Sequence, residues 1–338
     1  MRIVAIVVLL VTAGEQAQPS AQLPPKDAVR ITEFYRLAPL LEDKIWWDWS
    51  KVPAPLLLVT NDVEFLTHHP DPPKGFTKVA EDTYERARQF PTNLQATFPA
   101  FGPPSVIVIG EPENTEAKTS TAWMITLMHE HFHQLQDAQP GILDAVNKLG
   151  LARGDTTGMW MLNYPFPYDD AKIDAAFAHV RDLLLAALYA PDRKTFQPLA
   201  AEYVAARTKF LAQLAPDDRK YLSFQLWKEG IARYTQVKCA EAAANYRASS
   251  EFAALPDYES FAAYATHASS DTWDELKKVD LAKWKRVAIY PWGAAEGMFL
   301  DRYDPKWKEG YFVSPFTLDP YFVPQRHSNQ RKTGPNTP

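Results

Sequence analysis

Apolar and polar positions divide the chain into two unequal parts. Residues 53–60 and 105–110 carry short continuous apolar runs (LLLVT and VIVIG) that predict strands. Proline-rich turns such as His69-Pro70-Asp71-Pro72-Pro73 lie between them, in a mixed stretch from 31 to 110. From Thr119 onward the apolar spacing becomes helical. Residues 122–137 predict one helix, with Ser120 or Thr121 near its N-cap. Residues 170–190 place Ile173, Phe177, Val180, Leu184 and Leu188 on one helical stripe. Residues 197–214 and 217–245 predict further long helices, and 292–303 one more after Pro291. No internal repeat is present. Strands first and helices afterwards predict an α+β fold: a small mixed sheet followed by a predominantly helical lobe. The corresponding division is an N-terminal mixed lobe at 22–118 and a helical lobe at 119–322. A polar, proline-rich flexible tail is expected at 323–338.

The first residues change the picture of where the protein works. Arg2, an apolar run from Ile3 to Val11, and then small and polar residues follow the order of a secretory signal peptide, with its end near residue 21. The run is shorter than the roughly 20 apolar residues that span a bilayer. An exported protein, periplasmic or secreted, with no membrane span after signal removal is expected. Residues 15–30, rich in Gln, Pro and Ala, read as a linker. Cys239 is the single cysteine, so no internal disulfide forms and stability must come from core packing, which 338 residues can supply. A net charge of −5 and a pI near 5.9 exclude an electrostatic nucleic-acid partner.

Residues 129–133 read His-Glu-His-Phe-His, an H-E-x-x-H pattern on the helix expected at 122–137. Residues four apart lie on one helix face, about 6 Å between Cβ atoms, so His129 and His133 can reach one Zn²⁺. Glu130 is one step round and can touch a water there as general base. Apolar residues all round this helix predict burial, and buried imidazoles and a carboxylate are costly without a metal or partners. His131 points some 200° away from His129 and reads as structural. His68 and His69 read as exposed loop residues. A catalytic zinc needs a third protein ligand, and Glu202, Glu229 and Glu241 all lie on expected helices. Glu229 stands out because Gly230 beside it would let another helix or a substrate approach closely. Trp227 and Trp292 read as packing residues.

The run Glu229-Gly230-Ile231-Ala232-Arg233-Tyr234 resembles the third-ligand helix of the aminopeptidase N family of gluzincins. Tyr290-Pro291-Trp292-Gly293-Ala294 resembles that family's Y-x-x-G-A segment. Together with the H-E-x-x-H helix, three short motifs stand in the family's order between residues 129 and 300. The resemblance implies a zincin-like fold, Glu229 as third zinc ligand, and Tyr290 as the hydroxyl that stabilises the tetrahedral intermediate. The chain also departs from the family. The 96 positions between His133 and Glu229 exceed the family's interval, which an inserted helical hairpin near 170–214 would explain. No G-x-M-E-N segment precedes the zinc helix, although Glu111 or Glu113 stands in the corresponding stretch. The large N-terminal β domain has no room. The expected function is that of an exported zinc metallopeptidase, acting on a peptide or protein that adds as a strand along an edge formed by residues 105–110. The alternatives are a non-catalytic zinc-binding relative and a zinc hydrolase of a non-peptide substrate.

Overall fold

The two apolar runs pair side by side. In the computed structural model, which describes residues 22–323, Leu56–Val59 (β1) and Val106–Gly110 (β6) are parallel neighbours at the centre of a six-stranded mixed sheet. The other strands are Val63–Thr67 (β2), Thr77–Ala80 (β3), Thr83–Ala87 (β4) and Gln95–Phe98 (β5), in the order β3-β4-β2-β1-β6-β5. All other pairings are antiparallel. Continuous apolar sequence in β1 and β6 reflects burial on both faces. Leu56, Leu58, Ile107 and Ile109 face the helices. Leu57, Val59, Val106 and Val108 face a second, smaller core closed by Phe76, Phe90, Phe98 and Phe101. The expected signal peptide at 1–21 and the tail beyond 323 lie outside the described residues. Among the described residues no helix is long and apolar enough to cross a membrane.

Two expectations are corrected here. The expected linker at 15–30 gives way to a helix, Pro25–Ile45 (α1), which starts with proline at its first position, where the missing N–H costs nothing. Its stripe of Ile31, Phe34, Leu37, Leu41 and Ile45 is interrupted in sequence by Arg30, Glu33 and Glu42, which are also buried. Arg30 is tolerated because Asp27, Glu113 and Asp257 all pair with it. Second, β6 is interior, hydrogen-bonded on one side to β1 and on the other to β5, so it offers no edge. The edge beside the zinc-motif helix is β5, whose sequence Gln-Ala-Thr-Phe carries little strand signal and is only half buried.

Seven further helices of ten residues or more follow: Ser120–Asp137 (α2), Ala171–Tyr189 (α3), Arg193–Gln213 (α4), Pro216–Gln225 (α5), Ile231–Ala242 (α6), Phe261–Lys278 (α7) and Ile289–Tyr303 (α8). Helix α2 is capped by Thr119 rather than by Ser120 or Thr121; the Thr119 side chain accepts from the Ala122 N–H. Helices α3 and α4 form a packed hairpin, as the sequence suggested. The stretch expected as one helix at 217–245 is α5 and α6 joined through a π turn, Leu226–Gly230. One apolar core runs from α1 through the sheet to α8, crossing the 118/119 boundary without a break. Helix α7 was not anticipated. Its sequence is rich in Ala, Ser and Asp, and little of it is buried.

Candidate metal centre

Helix α2 is apolar on nearly every side, so it is driven into the core between the sheet and α6, and it carries its polar groups in with it. His129, Glu130 and His133 are all buried. The third acid arrives from the π turn. Such turns add a residue to a helix and re-aim the side chains around it, and here Glu229 is aimed at α2. Its Oε2 lies 3.4 Å from His133 Nε2 and 3.9 Å from His129 Nε2. A tetrahedral ion about 2.0–2.1 Å from each ligand spaces ligand atoms roughly 3.3 Å apart, so these separations suit a small cation. Among the described residues this is the one group of three or more His, Cys, Asp or Glu side chains whose ligand atoms converge in this way. The other two candidate acids lie elsewhere: Glu202 is exposed on the hairpin, and Glu241 pairs with Lys238 at 2.6 Å.

Two glycines explain why the acid can be there. A Cβ on Gly230 would sit 2.6 Å from the Gly293 Cα, and one on Gly293 would sit 2.4 Å from the Gly230 Cα. The π turn and α8 therefore touch backbone to backbone, which only glycine on both sides permits. The close approach expected beside Glu229 is that of a helix, and it brings Tyr290, at the start of α8, to the same site.

Gln136, which the sequence reading did not single out, holds the geometry. Its Nε2 donates to the Trp227 and Lys228 carbonyls of the π turn and to the Tyr311 hydroxyl. That orientation turns its Oε1 toward His133 Nδ1 at 2.7 Å, which makes Nδ1 the protonated nitrogen. His133 Nε2 then presents its lone pair to an acidic oxygen 3.4 Å away. Two acceptors at that distance need a positive charge between them, either a proton or a metal ion. Lys228 adds a second tie from the turn to α2 by pairing with Asp137 at 2.6 Å. The spacing His133-x-x-Gln136, one turn along the ligand face, was the available signal.

Electrostatics sharpen the roles. Burial pushes the Glu130 carboxyl above its ordinary range and the His129 imidazole below its own. Burial alone would also raise Glu229, but the two imidazoles and Arg286 outweigh it and hold it well below the usual carboxylate value. Glu130 is fixed by Thr97 of β5, whose hydroxyl lies 2.8 Å from Oε2 and 3.0 Å from the Glu130 carbonyl. The Tyr290 ring stacks 6.2 Å from His129, and its hydroxyl accepts from Arg286 Nη1 at 2.8 Å. Arg286 also lies 3.8 Å from Glu229 Oε1. Neither Thr97 nor Arg286 was foreseen, since each stands outside the motifs.

The remaining expected residues fall away from the centre. His131 is structural: Glu42 holds its Nε2 at 3.0 Å, Gln134 its Nδ1 at 2.8 Å, and Trp49 stacks on it. His68 is exposed and pairs with Asp82, but His69, expected to be exposed, is buried against Phe101. Glu113 pairs with Lys26 and Arg30, and Glu111 lies 3.6 Å from Lys26. Trp227 and Trp292 are packing residues, the first against Tyr311 and the second against Phe177 and Phe210.

Compared with protein-family models, with curated proteins and with solved structures, the chain has no match in any of the three. The chemistry of the site is therefore read from its own residues.

Proposed function

We propose that the protein is an exported, zinc-dependent metallopeptidase of the gluzincin type. The observation that carries the reading is the convergence of His129, His133 and Glu229, from two elements 96 positions apart, with Glu130 held beside them. Two imidazoles and one carboxylate are a catalytic rather than a structural donor set, because structural zinc sites close with four ligands, mostly thiolates. When bound, zinc would polarise a carbonyl and lower the pKa of a water toward ~7.

The chain's own groups supply the rest. Glu130 takes the proton as the water attacks and passes it to the leaving amine; its raised pKa suits a group that must hold a proton in mid-reaction. Thr97 keeps the carboxylate in one rotamer. Tyr290 donates its hydroxyl proton toward the oxyanion, and Arg286, which already donates to that oxygen, strengthens it as a donor. An extended peptide adds to the free edge of β5, next to Thr97 and Glu130.

Glu130→Gln keeps shape and burial but cannot take a proton. It should retain one zinc per chain and lose peptide hydrolysis by about 10²–10⁴-fold. Undiminished turnover would remove Glu130 as the base. Full zinc content with no wild-type turnover of any peptide would favour the non-catalytic alternative, and turnover of esters alone the non-peptide one.

A further inference from the structure

The peptidase reading leaves one charged feature unused. A cavity of about 370 Å³ opens beside the metal centre, lined by Tyr164, Phe166 and Tyr168 from the segment before α3, and by Asp169, Lys285 and Arg286. Arg286 is shared: the residue whose guanidinium holds Tyr290 at 2.8 Å and stands 3.8 Å from Glu229 also lines the cavity. Arg286 thus connects the cavity to the metal centre.

The Tyr164 hydroxyl in the cavity wall donates to Asp218, but the cavity's basic groups are only partly met by the protein. Arg286 meets Tyr290 by a hydrogen bond and Glu229 at 3.8 Å, both through Nη1, so among the described residues its Nε and Nη2 make no hydrogen bond. Lys285 has no carboxylate partner among them. Its backbone sits at φ +50°, an uncommon and strained conformation for a side-chain-bearing residue, and such strain collects at ligand sites. The Tyr168 hydroxyl is buried beside that of Tyr221. Against these stands one carboxylate, the exposed Asp169, so the lining is net cationic. The aromatic walls lower the local dielectric and strengthen an ion pair made there. An arginine fork beside a lysine, in an apolar cleft, matches the planar geometry of a carboxylate.

We propose that this cavity binds a carboxylate of the substrate, so that the preferred substrate is a peptide with a negative charge one or two residues beyond the bond cut. The inference rests on the hydrolase reading, but binding can be measured without turnover. Two sources share the chemistry: a free C-terminal carboxylate, which would make the enzyme act near chain ends, and an Asp or Glu side chain, which would make it cut before acidic residues.

The test uses the zinc-loaded Glu130→Gln protein, which should bind without cleaving, and calorimetry with three ligands: acetyl-Phe-Ala with a free C-terminus, the same peptide amidated, and amidated acetyl-Phe-Glu. At least one charged ligand should bind about 10-fold or more tighter than acetyl-Phe-Ala-amide, and which one does names the source. Adding Lys285→Met or Arg286→Met should erase most of that preference, and higher salt should weaken it. Lys285 is exposed, so its variant tests the cavity even should the Arg286 change disturb folding. Equal binding of all three ligands, or a preference that survives both substitutions, would overturn the proposal. Loss of the peptidase reading shows separately, as zinc-loaded wild type that cleaves none of the three.

Discussion

Helix α8 takes part in two buried ionic clusters that differ in one respect. Near its start Tyr290 meets the His129–His133–Glu229 group. Six residues on, Glu296 is fully buried against Arg207 and Tyr203 of α4. The second cluster is closed: Arg207 gives Nε and Nη2 to Glu296 and Nη1 to Asp319, and Tyr203 donates to the same carboxylate. Every strong donor has its acceptor, and a cation is already present. The first cluster is open: among the described residues His129 Nδ1 has no partner, and His133 Nε2 and a Glu229 oxygen, both acceptors, stand 3.4 Å apart. Both sites are deep and both are acidic. What separates them is that a guanidinium is hydrogen-bonded to the carboxylates of the closed cluster, whereas in the open one Arg286 stays 3.8 Å from Glu229 and two imidazoles face that acid.

The sharpest way to break that contrast is to open the closed cluster. Arg207→Met leaves Glu296 buried and unpaired and should cost about 3–5 kcal/mol in denaturant unfolding, with zinc stoichiometry unchanged. Loss of zinc in that variant would mean that the two clusters are coupled through α8. Next in size is the effect of the cation proposed for the open cluster. Zinc at 100 times its Kd should add about 2.7 kcal/mol to stability, and a chelator should take it away. The same increment should appear in Arg207→Met, because distant sites add; none should appear in His133→Ala. Loosening the open cluster without emptying it is a smaller change. Gln136→Met frees the His133 ring and should weaken zinc about 10–100-fold in a competition titration. An unchanged affinity would show that packing alone orients His133.

The smallest effect comes from a third kind of site, a half-buried cation with no carboxylate in hydrogen-bond reach. Lys308 donates to the Ile45 carbonyl at 3.3 Å and faces the rings of Trp46, Tyr234 and Trp307. Burial lowers its pKa to about 8. A base whose folded pKa lies below its unfolded value destabilises the fold while charged, so the cost is present below pH 8 and is relieved as pH rises toward 10.5. Wild type should gain about 1.4 kcal/mol between pH 7 and 9 relative to Lys308→Met, read from paired unfolding curves. A flat difference would mean that the aromatic rings hold the charge and cancel the shift.

The legible parts of this protein were those where one residue type carries one message. Apolar runs marked β1 and β6, an apolar stripe marked α3, Pro291 marked the start of α8, and His129-Glu130-x-x-His133 amid apolar residues marked α2. Glycine beside Glu229 signalled close packing, and Gly293 proved to be its counterpart. What stayed hidden depends on pairing. Helix α1 buries four charged residues, Asp27, Arg30, Glu33 and Glu42, so its stripe reads as broken until Asp27, Glu113 and Asp257 are seen around Arg30. Strand β5 is short and polar and exists because β6 offers it a partner. Gln136, Thr97 and Arg286 are ordinary residues whose importance lies in what they touch.

The π turn at Leu226–Gly230 has a consequence for the length of the chain itself. Such a turn is a regular helix with one residue too many, held in place by Gln136, Lys228 and the glycine contact with α8. Deleting a single residue there would repair the local hydrogen bonding and fuse α5 and α6 into one smooth helix. It would also swing everything beyond the deletion by about 100°. The helix would be locally improved and the centre taken apart. The frame of this segment, counted in residues, is therefore as much a part of the site as any side chain in it.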